Sequence, residues 1–280
     1  AGPYTRRMTA YDSASLDAQF NVRDLVPEHP EHFRNWAAWS RDAMRGGARD
    51  LDVRYGGGAN EHLDIFRTSR EQAPVLVFIH GGYWRSMDKK DHAFVAPAFA
   101  REGVCVVVPN YALCPAVTLP DIVMQMVRAL AWTWKHIGHH GGDRDRIHVA
   151  GHSAGGHLAA MMAACAWDVF DPKLPKDLLK GALSISGLHD LEPVMHSPYL
   201  QSSLLDAGAG AQGEPRAAAR TGPRQALQHQ RRARDRGIPP ADPADPRRVG
   251  CAARAGVRIN SGNEPLQRAR SLRRPREPGA

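Results

Sequence analysis

The sequence holds only four cysteines in 280 residues (Cys105, Cys114, Cys165 and Cys251). They are too few and too scattered for a disulfide framework or a zinc site. Three of them sit in apolar segments, where a free buried thiol is the expected state. No apolar run approaches the roughly 18 residues that a membrane span requires. The basic opening, Ala-Gly-Pro-Tyr-Thr-Arg-Arg-Met, has no apolar stretch behind it, so no signal peptide is expected and a cytoplasmic compartment is the default. Aromatic residues are missing after Tyr199, and lysine is missing from residues 206–280.

That second shortage divides the chain. Residues 1–205 carry 21 basic and 22 acidic side chains, whereas residues 206–280 carry 16 arginines and 7 acids. The formal charge of +8 therefore belongs to the tail, and the body is neutral. The tail also has only seven Val, Ile or Leu residues, too little apolar area to offset chain entropy, so disorder is expected there. Its arginines have no interleaved aromatics, which argues against nucleic acid as a partner.

The body reads as alternating strands and helices. Helical sequence at 11–49 is interrupted by Pro27 and Pro30. Leu51–Tyr55 and His62–Arg67 suit a hairpin around Gly56-Gly57-Gly58. Val75–Ile79 and Val104–Val108 are continuous apolar runs, as expected of strands buried on both faces. Between and after them, 91–101 and 120–137 read as helices. Shorter strands are expected at Ile147–Ala150 and Ala182–Ile185. This order predicts a mostly parallel sheet with helices on both faces. Lys89 and Lys90 read as a solvated surface pair.

Two glycine motifs carry chemistry. Gly151-His152-Ser153-Ala154-Gly155 fits the nucleophile elbow G-x-S-x-G, in which a tight strand-to-helix turn lifts the serine hydroxyl above the sheet. His80-Gly81-Gly82-Tyr83-Trp84 follows the first buried strand and fits the loop that donates backbone N–H groups to an oxyanion. Ser153 is the expected nucleophile, with Gly81, Gly82 and Ala154 as oxyanion donors. His80 is expected to anchor its loop, and His157 to pack or hydrogen-bond one turn along the helix. No histidine lies at a spacing that suggests a metal, and no cofactor is expected.

These motifs, with Val-Val-Val-Pro-Asn-Tyr-Ala-Leu-Cys-Pro at 106–115 and Pro-Glu-His-Pro at 27–30, resemble bacterial esterases related to kynurenine formamidase (arylformamidase). The resemblance covers about residues 8–205. It implies an α/β-hydrolase fold, a Ser-acid-His triad without metal, and hydrolysis of small acyl esters or aryl formamides, with N-formylkynurenine as the alternative substrate. It also implies a small-molecule partner rather than a membrane. Tyr83, Trp84 and His152 are the expected pocket residues. A catalytically dead hydrolase-fold binding protein is the alternative of another class.

The triad acid and histidine, due after Ser153 in the family order, are not found at a matching motif. The in-frame candidates are Asp190, His189, His196 and His229. Shifted by one nucleotide, codons permitted for Glu214–Gly222, Gly237–Val249 and Gly262–Gln267 allow Ser-Pro-Ala-Leu-Leu-Pro-Ala-Pro, Glu-Phe-Arg-Arg-Gln and Gly-Met-Asn-His-Phe-Ser, in the family order. The expectation is a hydrolase domain at 1–205, C-terminally incomplete, and a tail at 206–280 arising from a frameshift near 203–212. A natural, divergent arginine-rich tail is the alternative.

Overall fold

The computed structural model describes residues 12–200. The tail at 206–280, including His229 and Cys251, lies outside the described residues. Three helices lead in: α1 (Ser13–Phe20), α2 (Val22–Leu25) and α3 (His29–Ala43). Asp12 caps α1 by accepting from Ser15 N, and Pro30 sits in the first turn of α3, where its missing N–H costs nothing.

Six strands form one sheet. β1 (Arg49–Arg54) and β2 (His62–Phe66) are the hairpin, followed by β3 (Ala73–Ile79), β4 (Cys105–Pro109), β5 (Gly142–His152) and β6 (Leu179–Ile185). Their spatial order is β1-β2-β4-β3-β5-β6. β1 and β2 run antiparallel, and β2 runs antiparallel to β4. β4, β3, β5 and β6 run parallel to their neighbours. This is the mostly parallel sheet of the α/β-hydrolase fold.

The apolar runs of β3 and β4 occupy the middle because both of their faces are covered. On one face Val75, Val77, Ile79, Val107 and Val149 pack against α5 (Leu119–His136) and α6 (Ala154–Ala163). The α5 stripe of Ile122, Met126 and Leu130 is fully buried, and a capping box between Thr118 and Asp121 fixes where that helix starts. On the other face Val106 and Val108 meet Ala43 of α3 and Ala96 of α4 (Ala96–Arg101).

The segment expected as one helix at 91–101 is broken. Single 3-10 turns at Lys89–Asp91 and Ala93–Val95 precede α4. Pro97 explains the restart: it has no N–H to offer the preceding turn and is tolerated only at a helix beginning. β5 is longer than its apolar stretch because strand pairing with β3 begins at Gly142. After α6 come the short helix α7 (Trp167–Phe170), β6 and α8 (Leu191–His196).

β6 is the edge of the sheet among the described residues, and it is poorly covered. Leu183 is 58% exposed and Ile185 40% exposed. With Leu76, Phe78, Trp36, Phe94 and Phe99 they line an apolar trough of about 670 Å³ on the α3–α4 face. Parallel strands are normally covered on both sides, so this trough is the least finished part of the described fold.

The pair Lys89-Lys90 is split by the structure. Lys90 is exposed, but Lys89 is 1% exposed. Its Nζ donates to Asp64 Oδ1 at 2.5 Å and Asp52 Oδ1 at 2.9 Å. Sequence reading missed this because the two acids come from the hairpin, well separated in the chain. Hydrogen bonding to Lys89 is the main cause of a lowered Asp52 pKa. Asp64→Ala strips the fully buried partner from a buried cation. The expected loss is about 3 kcal/mol, the low end for a broken buried pair, because Asp52 still faces the ammonium. Urea denaturation followed by tryptophan fluorescence measures it, and an unchanged midpoint would contradict the role assigned to this pair.

Candidate active site

β5 and α6 meet at Ser153 without an intervening loop. Ser153 has φ 55° and ψ −119°, a positive-φ conformation that is uncommon for a non-glycine residue and strained. Its amide donates to the Ile185 carbonyl at 2.8 Å, and its own carbonyl accepts from His157 N at 3.1 Å. Both ends of the strained peptide are thereby held. The turn is closed so tightly that a Cβ on Gly155 would lie 2.1 Å from the Ile79 carbonyl oxygen, and one on Gly151 would lie 2.1 Å from the Gly155 oxygen. Only glycine fits at these two positions, which accounts for the spacing around the serine. The first-turn amides of α6, Ala154 among them, follow Ser153 directly, at the positive end of a ten-residue helix.

The loop after β3 comes to the same place because β3 and β5 are paired in register. Ile79 sits opposite Gly151, so two residues further on Gly81 faces Ser153. A Cβ on Gly81 would be 3.2 Å from Ser153 Cβ and 2.8 Å from the His152 oxygen. The following residues turn sharply, with φ values of 110° at Gly82, 51° at Tyr83 and 56° at Trp84. Gly81, Gly82, Ser153 and Ala154 are therefore brought together.

Tyr83 is half-buried, and its hydroxyl donates to the Phe20 carbonyl at 2.7 Å. Trp84 is fully buried, with its ring edge-on to His157 at 5.3 Å; it lines a cavity of about 230 Å³ with Leu119, Leu191, Val194 and Met195. His152 turns to the other face of the sheet, lines the open trough and meets the Trp36 ring edge at 6.5 Å. Burial lowers the pKa of His152, and burial takes His157 down to about 4, so His157 is neutral at physiological pH. His80 is wholly buried and also shifted down by burial; its Nδ1 is 2.8 Å from the Gly81 oxygen, an anchoring contact.

Among the described residues no imidazole or carboxylate is hydrogen-bonded to Ser153 Oγ. His189 Nε2 lies 3.0 Å from Ser184 Oγ on the exposed side of β6. Asp190 caps α8, accepting from Glu192 N at 3.3 Å. His196 is exposed in the last turn of α8. His229 lies outside the described residues. No group of His, Cys, Asp or Glu among the described residues is arranged to hold a metal ion, and none of their helices is long and apolar enough to cross a membrane. Sequence reading missed Tyr111, whose hydroxyl donates to the His80 carbonyl at 2.9 Å. Its only signal was the Pro-Asn-Tyr that ends β4.

Comparison with known proteins agrees with this geometry. A family model described as BD-FAE matches residues 63–191. Kynurenine formamidase of Danio rerio is 33% identical over 196 residues, covering 69% of this chain and 63% of the relative. Carboxylesterase NlhH of Mycobacterium tuberculosis is 40% identical over 141 residues, covering 49% of this chain and 44% of the relative. A crystal structure provisionally named a thioesterase, from Silicibacter sp. TM1040, superposes with a TM-score of 0.57 at 28% identity, covering 69% of this chain and 71% of the other. The chain spans 63% and 50% of the length of the two fish kynurenine formamidases it matches. Sheet order, elbow and relatives all point one way, and the chain is an α/β-hydrolase-fold protein similar to esterases and kynurenine formamidases.

Proposed function

We propose that the site is that of a serine hydrolase acting on small carboxylic esters, with Ser153 as nucleophile. The observation that carries this reading is the strained Ser153 elbow facing the Gly81-Gly82 loop across the β3–β5 register. Ser153 Oγ would attack the carbonyl carbon and lose its proton, while N–H groups of Gly81 or Gly82 and of Ala154 stabilise the oxyanion. Collapse of that adduct expels the alcohol, which takes up a proton, and leaves an acyl group on Ser153. Water then attacks the acyl-enzyme, releasing the carboxylic acid and restoring the hydroxyl. The esterases among the relatives support this chemistry.

A second reading, hydrolysis of the formamide of N-formylkynurenine, is favoured by the kynurenine formamidases among the relatives. The same steps apply, with an arylamine leaving and formate as the acid product. A third reading, a binding protein without turnover, is favoured by the lack of a histidine on Ser153 Oγ among the described residues. The tail reading belongs with it: we infer that the hydrolase unit ends near residue 205 and that 206–280 comes from a shifted frame, which would have removed the triad acid and histidine.

Three outcomes are expected. Ser153→Ala should abolish both hydrolysis of p-nitrophenyl butyrate and covalent labelling by a fluorophosphonate; activity near the parental level would mean that the nucleophile lies elsewhere. The 280-residue chain should turn over far below the usual enzyme range of about 1–10³ s⁻¹, since losing a triad histidine costs about 10⁶ in kcat. A kcat within that range would instead require His189, His196 or His229 in the triad, and single alanine variants would identify it. Restoring the alternative frame near codons 203–212 should recover turnover and raise the melting midpoint. No gain in either would leave the divergent tail as the better account.

A further inference from the structure

The oxyanion loop has to be held from its buried side, and the group that holds it comes from the segment just after β4. β3 lies between β4 and β5 in the sheet. Val77 is paired with Val107, and Ile79 with Gly151. Continuing both registers past the strand ends puts Gly81 between Tyr111 on one side and Ser153 on the other. Tyr111 is 1% exposed. Its ring stacks on His80 at 4.2 Å and 7°. Its hydroxyl donates to the His80 carbonyl at 2.9 Å and lies 3.4 Å from the Gly81 oxygen. The Gly81 oxygen in turn accepts from His80 Nδ1 at 2.8 Å, which assigns the ring proton to Nδ1.

Two successive carbonyls are therefore tied: the His80 oxygen, which also stands against Gly155 of the elbow, to Tyr111, and the Gly81 oxygen to the His80 ring. A trans peptide is planar and its C=O and N–H point in opposite directions. The peptide that carries the His80 oxygen also carries Gly81 N–H, and the one that carries the Gly81 oxygen carries Gly82 N–H. Fastening both oxygens fixes the planes of both peptides, and with them the directions of both N–H groups. Neither of these N–H groups donates to another described residue.

Building on the reading of Ser153 as nucleophile, we propose that Tyr111 is a positioning residue for the oxyanion donors. Through the His80 carbonyl and the stacked His80 ring it fixes the two peptide planes that present Gly81 and Gly82 N–H. It touches no reacting atom. Burial raises its pKa well above the ordinary phenol value, so the hydroxyl keeps its proton and remains a donor throughout the usable pH range. Phenylalanine would keep the stack and lose only this donation, which makes the role separable from packing.

The test is covalent labelling of the full 280-residue chain by a fluorophosphonate, with the rate measured against probe concentration. The probe phosphorus bonds to Ser153 Oγ, fluoride leaves, and the phosphoryl oxygen occupies the oxyanion position. Tyr111→Phe should lower the maximal labelling rate by about 10–100-fold, less than the roughly 10²–10³ lost when a donor is removed outright. The half-saturating probe concentration and the melting midpoint should not change. An unchanged maximal rate would overturn the role of Tyr111 and leave Ser153 as the nucleophile. A slower rate accompanied by weaker probe binding and a lower midpoint would show a merely structural role, and would overturn it too. Wild-type labelling no greater than that of S153A would show that Ser153 is not a reactive nucleophile in this chain, and would overturn this proposal with it.

Discussion

The pairing of β3 with β5 is the constraint on which the site depends. Once Ile79 is set opposite Gly151, the loop leaving one strand and the elbow leaving the other must emerge side by side. The backbones then come so close that Gly155 rests on the Ile79 carbonyl and Gly81 rests on His152. A side chain at either glycine would push loop and elbow apart. The strain at Ser153 survives because amides and carbonyls on both sides of it are tied into β6 and α6. A residue held in a sparsely populated conformation costs of order 1–3 kcal/mol, and here the surrounding ladder over-determines it.

Around that contact the polar groups are arranged to be fixed and neutral. His92, His80 and Tyr111 form a buried stack beneath the loop, with centroids 5.5 Å and 4.2 Å apart. Burial takes His92 down to about 3 and lowers His80 as well. Two adjacent imidazolium charges in such a place would repel each other and lack solvent, so the neutral rings serve as flat packing with a directed N–H. The cationic exception is Lys89, which the hairpin acids neutralise at the edge of the same region. Among residues 12–200 these buried histidines pack and anchor backbone, and none of them is hydrogen-bonded to Ser153 Oγ.

The two faces of the sheet are finished to different degrees. α5 and α6 seal one face with a continuous cluster that runs from Ile122 to Met162. On the other, α3 and α4 cover β2 and β4 but leave the β5–β6 half open, with Leu183 and Ile185 facing outwards. The elbow needs Ile185 as the acceptor for Ser153 N, so the least covered strand also braces the most strained residue. Site geometry and sheet completeness are coupled through that one hydrogen bond.

Much of this was legible in the sequence because it rests on local patterns. The apolar runs at 75–79 and 104–108 named the central strands, the i, i+4 spacing from Ile122 to Leu130 named α5, and two glycine motifs marked the loop and the elbow. Glycine spacing is readable because steric exclusion acts within a few residues. Lys89 was not readable as buried, since its partners Asp52 and Asp64 arrive from a hairpin paired two strands away. His152 was grouped with the pocket residues; its ring lines the trough on the face opposite α6, with Nδ1 beside Gly81. Tyr111 lay within the motif at 106–115 with no role attached to it, and became informative only when β4 was seen beside β3. The sequence by itself determined which segments are strands and helices and where the backbone must be bare of side chains. Tertiary structure alone decided which carbonyls face which donors, because strand order and register set those distances and no local pattern encodes them.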